Sequence, residues 1–576
     1  MTYEKLTADV LIIGMGAAAQ IAALNAFDAN PELDILIVTK ALQGKGGCSR
    51  MVQGGFNVVL NPEDSHDKHF MDTLKGGQYI NDQILARTLV EQGTPTIKEM
   101  ETLYGCFFDR NQDGTVHQKP FAGQSYDRTV HKGDLTGIEI VSRLTEQVMK
   151  RNIRVLEENR ALELLLDASG EEVTGALLLD IKQGIFREVN ARCVLVATGG
   201  GPTQYRFFAP GPEKSVDGMG MLYRAGVLMR DMEMVQFHPT GLIIPGSVVA
   251  GSLLEEGLRG AGAYMLNGNG ERFMENYDPE NMERTTRDVM SRSSFLEMQA
   301  GRACPEGGVH IVASHLGADF VEQNFPGMCS RCRQFKYDLA REPVPVSPSA
   351  HYVMGGADID KDCMASRERL FVAGEDTGGV HGANRLGGNG IADSCVFGRQ
   401  AGKGIATYMK YKSGALPETA PGMVDRLINE FAEPFSRAKG TDHMKIRDEL
   451  REMNWNKIGV ARTGEGLSEA LAEISGFREQ VAAAQVPGKP AYNLSWNFYI
   501  DLLNMIDVSQ MVAGSAVLRE EKRGAHFRQD HPEQDDSNGL FNVFQKRGSK
   551  GEIEYEKRPV NFILKSAEEC RSYKKQ

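Results

Sequence analysis

The stretch Ala8–Phe27, ADVLIIGMGAAAQIAALNAF, constrains the fold more than any other part of this 576-residue chain. Its apolar run to Ile13 predicts a buried strand, Gly14 and Gly16 a tight turn, and the alanine-rich continuation a helix. This is the opening of a βαβ unit. Gly14 makes the turn, Gly16 lets the backbone approach a pyrophosphate, and Ala19 stands where a third small residue permits close helix–strand packing. The next strand, DILIVTK, follows at the expected distance. Where many such folds place an acidic residue for a ribose, this chain has Thr39 and Lys40, a departure from a plain NAD site. Further glycine turns follow apolar strands in GKGGCSRMVQGGFN (44–57), CVLVATGGG, SVDGMGMLYRAGV and LFVAGEDTGG. As a set they predict one long cofactor laid across a doubly wound sheet.

Four side chains downstream carry the chemistry: His238 in MVQFHPTGL, Arg287 in TTRDVMSR, His351 in SAHYVMGG and Arg385 in HGANRLGGNG. Each is embedded in Gly, Pro and small residues rather than in a charged helix face. A guanidinium offers a planar fork of donors that matches a carboxylate, so two Arg with two His suit a small dicarboxylate.

The length calls for about three or four domains. A net charge of −12 argues against a nucleic-acid partner and suggests no membrane surface. No apolar run approaches a membrane span, and the opening MTYEKLTADV has no cationic leader, so a cytoplasmic location is expected. The nine cysteines are odd in number and scattered, which predicts reduced thiols.

Taken in order, GMGAAA, QGGFN, ATGG, DGMGM, QFHPTG, EGLRGAG, TTRDVMSR, HYVMGG, AGE, HGANRLGGN and KRGAHFRQDHPEQDD resemble the flavoprotein subunit of the succinate dehydrogenase and fumarate reductase family over nearly the whole chain. L-aspartate oxidase is a close relative of that family. The resemblance implies an α/β plus α architecture. A doubly wound, Rossmann-like FAD-binding domain (1–238 and 352–412) would carry an inserted capping domain (239–351), a helical domain (413–515) and a C-terminal lobe (516–576). Gly14, Gly16, Ala17, Ala18 and Ala19 would meet the pyrophosphate of FAD, and Thr39 and Lys40 the adenosine ribose. Gly46, Gly47, Cys48 and Ser49 would meet the flavin edge. Gly54, Gly55, Ala161, Ala197, Thr198, Gly199, Asp217, Glu375, Gly390 and Ile391 would complete the shell. His238, His351 and Arg385 would grip the substrate carboxylates, Arg287 would exchange the proton, and Glu256 and Arg259 would relay it. The implied reaction interconverts a saturated and an α,β-unsaturated dicarboxylate, succinate and fumarate or a close analogue, by hydride transfer at the flavin.

Three departures from the family pattern stand out. Cys48 replaces the histidine that attaches FAD covalently in many members, which implies a non-covalent flavin. Glu255 occupies the place of a threonine that donates to a substrate carboxylate; an ionised carboxylate there accepts only. Cys329 and Cys332 form a C-x-x-C with no second pair nearby, so no metal site is expected. PGMVDRLINEFAEPF, DHMKIRDELREMNWNKIGV and GEGLSEALAEISGFREQVAAA read as amphipathic helices, while QDDSNGLF and FQKRGSKGE read as turns and loops. In relatives this region docks an iron–sulphur subunit. The chain has no haem C-x-x-C-H and no ferredoxin-type cysteine run, so electrons must pass through a partner, a diffusible donor or oxygen. Two rivals remain open: an amino-acid oxidase resembling L-aspartate oxidase, in which Glu255 meets a substrate ammonium, and a non-catalytic flavin-binding subunit.

Overall fold

The computed structural model describes residues 3–573 except 210, 212, 248 and 413. The domain boundary expected at residue 413 and the last residues of the terminal lobe therefore lie outside the described residues. The apolar run before Gly14 forms the strand Tyr3–Ile13, whose Val10, Leu11 and Ile12 are fully buried. It pairs in parallel with Ile35–Val38 on one side and Ile185–Val196 on the other, and Arg154–Leu156 extends the first side. The strand Ile185–Val196 forks along its far edge. Its first half pairs antiparallel with Val173–Asp180, and its last three residues pair in parallel with Leu370–Val372. The strands Tyr3–Ile13, Ile185–Val196 and Leu370–Val372 thus end side by side. Their turns, at Gly14, Ala197–Gly199 and Ala373–Glu375, open on one crevice at the carboxyl edge of the sheet, where such folds bind ligands.

The helix Ala17–Ala29 packs on the long helix Asn389–Tyr411. Small residues permit this: a Cβ at Gly398 would lie 2.5 Å from the carbonyl of Ala18, and one at Gly402 2.5 Å from that of Ala22.

A second, antiparallel sheet orders Val235–Leu242, Val344–Val353, Val309–Val312 and Tyr264–Leu266, over a core of its own that includes Leu258, Met265 and Met290. Its two long strands run through the positions 238/239 and 351/352, so the capping segment joins the nucleotide domain by a paired ribbon. In that ribbon Gln236 pairs with Tyr352 but Phe237 with Ala350, leaving His351 as the extra residue of a bulge. Bulges of this kind re-aim a side chain.

The three amphipathic segments form the helices Met423–Ala432, His443–Lys457 and Gly464–Ala482, joined by a fourth, Leu494–Leu518. One expectation holds only in part. FQKRGSKGE is a turn from Gly548 to Glu552, but Phe544–Arg547 belongs to the strand Phe541–Arg547, which forms a hairpin with Ile553–Pro559 and also pairs with Met229–Arg230. Pairing within the hairpin, with Met229–Arg230 added at Phe544 and Gln545, makes Phe544–Arg547 extended. No helix of the described residues is long and apolar enough to cross a membrane.

Candidate active site

One cavity of about 660 Å³ runs from the Gly14 turn to the Arg and His residues at the ribbon. Every expected cofactor residue except Ala19 lines it, as do His238, Glu255, Glu256, Arg287, His351 and Arg385. Ala19 faces the helix packing, fully buried. Arg259 lies behind Glu256 rather than on the wall.

The nucleotide end is built for close backbone approach. Gly14 has φ +115°, and a Cβ there would sit 2.1 Å from the carbonyl oxygen of Ala197. The first helical N–H, of Ala17, donates to Ser49 Oγ at 3.1 Å. Lys40 Nζ donates to Ser215 Oγ at 2.9 Å and to Asp217 Oδ2 at 2.6 Å. Arg160 and Asn504 also donate to Asp217. Burial alone would raise the Asp217 carboxyl, but Arg160 and Lys40 outweigh it and hold the pKa at about 2. Farther along, Lys214 and Glu375 form a buried ion pair beside the half-buried Cys48. Loss of hydration pushes the Cys48 thiol up to about 11.

At the other end the two imidazoles are edge to face, 5.5 Å apart. Burial and the neighbouring guanidinium groups push both His238 and His351 well below the usual histidine range, so both rings are neutral. His238 Nδ1 accepts from the backbone N–H of Thr240 at 3.4 Å, which leaves Nε2 to carry the hydrogen as a donor. In this cluster positive charge therefore rests on the arginines and not on the imidazoles. Arg287 Nε donates to Glu256 Oε2 at 2.8 Å, and its Nη1 faces Gln236 Oε1 at 3.3 Å. Nη2 has no protein acceptor among the described residues. Arg259 Nη2 lies 3.9 Å from Glu256, and its Nη1 donates to the Glu283 carbonyl at 2.7 Å. Arg385 lies 4.6 Å over the ring of Tyr352 and donates through Nη2 to Gln236 Oε1 at 3.0 Å. It is 6% exposed and has no carboxylate within 4.0 Å among the described residues. Burial, then repulsion from Arg287, lowers its pKa to about 10. Three guanidinium groups against one carboxylate leave this cluster two positive charges in excess.

Asp288 does not steer Arg287. It accepts from Asn384 at 2.8 Å, because consecutive helical residues point about 100° apart. Glu255 faces the cavity but is not free: Lys119 Nζ holds its Oε1 at 3.0 Å.

Residues 9–391 match the FAD binding domain family, and residues 447–573 match the fumarate reductase flavoprotein C-terminal family. The chain belongs to the fumarate reductase and succinate dehydrogenase flavoprotein family. It is 38% identical over 527 residues to an uncharacterized FAD-dependent oxidoreductase of Methanocaldococcus jannaschii, covering 91% of this chain and 94% of that one. It is 37% identical over 541 residues to a fumarate reductase (CoM/CoB) subunit of Methanothermobacter marburgensis, covering 92% and 96%. A solved structure of an Escherichia coli quinol fumarate reductase variant superposes with a TM-score of 0.91 at 30% identity, over 97% of this chain and 98% of that one. The protein is an FAD-dependent oxidoreductase of this type. The cavity suits the cofactor, since the Gly14 cradle would be filled by any Cβ and the helix Ala17–Ala29 begins at its wall.

Two members of the site escaped the sequence. Gln236 accepts from both Arg287 and Arg385, and gives its own N–H groups to Asn384 and to the Arg385 carbonyl. Its signal was present, two residues before His238 on one strand. Lys119 had none, because a two-residue strand far away in sequence delivers it.

Proposed function

We propose that this chain interconverts fumarate and succinate, with Arg385, His238 and His351 holding the two carboxylates and Arg287 exchanging the proton at one substrate carbon. The buried Arg385 carries this reading. An uncompensated buried charge is costly, and a bound dianion offsets the two excess positive charges of the cluster. FAD, when bound, supplies the two-electron, hydride-level chemistry. The chain's own residues do the rest. Neutral His238 donates from Nε2 to a carboxylate oxygen, and Arg385 with Arg287 stabilises charge that grows on that carboxylate as the double bond is reduced. Arg287 Nη2 gives its proton to the carbanion-like carbon, and Glu256, hydrogen-bonded to Nε with Arg259 behind it, returns one from outside the pocket.

The pairing of Glu255 with Lys119 supports this reading over an amino-acid oxidase, because Glu255 is not a free acceptor awaiting an ammonium. The flavin is held without a covalent bond, as a protonated Cys48 thiol is a poor nucleophile. Electrons arrive through a partner, of which an iron–sulphur subunit is the expected class; through it the cytoplasmic chain would sit at the membrane. The test is binding to the oxidised holoenzyme, read from the flavin spectrum. Fumarate should bind at least about a hundredfold more tightly than its monoamide, on the scale of one buried charge pair. Equal affinity would remove the dianion from the account.

A further inference from the structure

We propose that Cys304, Glu306 and His310 form a zinc site on the capping domain, apart from the redox cavity, whose lining includes none of the three. A Cys304 Sγ, a Glu306 carboxylate oxygen and a His310 ring nitrogen lie within 4.8 Å of one another. Ligands at about 2.0–2.3 Å from a tetrahedral Zn²⁺ stand about 3.4–3.8 Å apart, so small side-chain movements close the set. Thiolate, imidazole and carboxylate together are the donors of a borderline-soft dication rather than of Mg²⁺ or Ca²⁺.

The backbone is already arranged for this. Cys304 N–H donates to the Gly308 carbonyl at 2.7 Å and Gly307 N–H to the Cys304 carbonyl at 2.8 Å, closing a tight turn. Gly307 takes φ +91°, and a Cβ at Gly308 would meet the Val346 carbonyl at 2.2 Å. His310 is anchored in the strand Val309–Val312, opposite Leu266 and Pro345. Cys304 is 3% exposed, whereas the side chains of Glu306 and His310 are 34% and 25% exposed. The sulfur therefore lies at the floor and the fourth position opens to solvent. Glu306 has no Lys or Arg nitrogen within 4.0 Å among the described residues, and the one basic nitrogen in that range is His310 Nε2, at 3.9 Å. Zinc takes cysteine as the thiolate, without its proton. Binding would expel that proton to solvent, one per zinc. The spacing C-x-E-x₃-H has no paired C-x-x-C, which is why the sequence suggested no metal.

The experiment uses the full-length holoenzyme, stripped of metal with a chelator and titrated with zinc alone, then with Co²⁺. Wild type should take up one equivalent, release one proton, and with Co²⁺ develop tetrahedral d–d bands at wavelengths beyond the flavin absorption. Cys304→Ser and His310→Ala should each weaken binding at least about a hundredfold, the upper end of what losing an outer partner costs. Cys332→Ser should bind as wild type does. Flavin content, measured on every variant, separates lost metal from lost fold. The site is overturned if wild type binds no more zinc than Cys304→Ser, if His310→Ala binds undiminished, or if Cys332→Ser alone abolishes binding.

Discussion

Arg385 and Lys119 divide the electrostatics of the pocket between a charge waiting for a ligand and a charge already spent. Replacing Arg385 by lysine keeps the charge but loses the planar fork and the stacking on Tyr352. Arg385→Lys should raise the dissociation constant for fumarate by about thirtyfold or more, corresponding to about 2 kcal/mol for a broken buried charge pair. Titration of the oxidised flavin checks it, and unchanged affinity would take Arg385 out of the site. Lys119→Met should also weaken dicarboxylate binding, because it leaves the Glu255 carboxylate without its partner on the wall. The double variant Glu255→Gln/Lys119→Met should recover most of that loss, with a coupling of about 1 kcal/mol or more. Additive effects would mean that the pair does not act as one unit. At this scale the sequence was legible in singling out His238, Arg287, His351 and Arg385, which line one cavity. It was silent where orientation decides: Asp288 neighbours Arg287 in sequence yet turns to Asn384, and it is Glu256 that meets the guanidinium.

Among the elements, those with a strong local pattern were read correctly. Strand, glycine turn and helix at residues 8–27 appear as expected because each step is dictated by short-range sterics. The turn also gives a sharp prediction. Gly14→Ala would force a side chain into φ +115° and against the Ala197 carbonyl, so the purified protein should lose most of its FAD and at least about 2 kcal/mol of stability. A variant with full flavin content would show that the turn tolerates what its geometry forbids. The helix Leu494–Leu518 was missed for the opposite reason. It is buried on nearly every side, so it has no polar face to reveal its period. The terminal hairpin was read only at its turn, because Gln545–Arg547 and the largely charged strand Ile553–Pro559 carry little β propensity.

Across the whole molecule, buried neutral histidines set the response to acid. His69, His238, His351, His381 and His526 are all pushed below their ordinary value, first by burial and, for all five, by neighbouring guanidinium groups. Unfolding frees them to take up protons below about pH 6.5, so their contribution is present above that pH and is lost as pH falls toward their folded values. Burial raises Glu163 to about 7, Asp376 to about 6 and Asp393 to about 8, and these act in the opposite sense, losing stability as pH rises. With His131 and His443, also pushed down, and Glu233 and Asp358, also raised by burial, seven groups against five leave the balance unfavourable in acid. The thermal midpoint of the substrate-free holoenzyme should therefore fall steadily from pH 6.5 to pH 5; a rising midpoint would contradict these burial effects. The crevice also gathers residues from Gly14 to Ile391, and the proton path through Arg287 proposed there is the central claim. It is tested most directly by reducing the flavin of Arg287→Ala anaerobically with dithionite and mixing with fumarate in a stopped-flow cell. Reduction and FAD content should match wild type, while reoxidation by fumarate should slow by at least about a hundredfold, the usual cost of removing a positioned proton donor. Reoxidation at close to the wild-type rate, with succinate formed, would contradict the account.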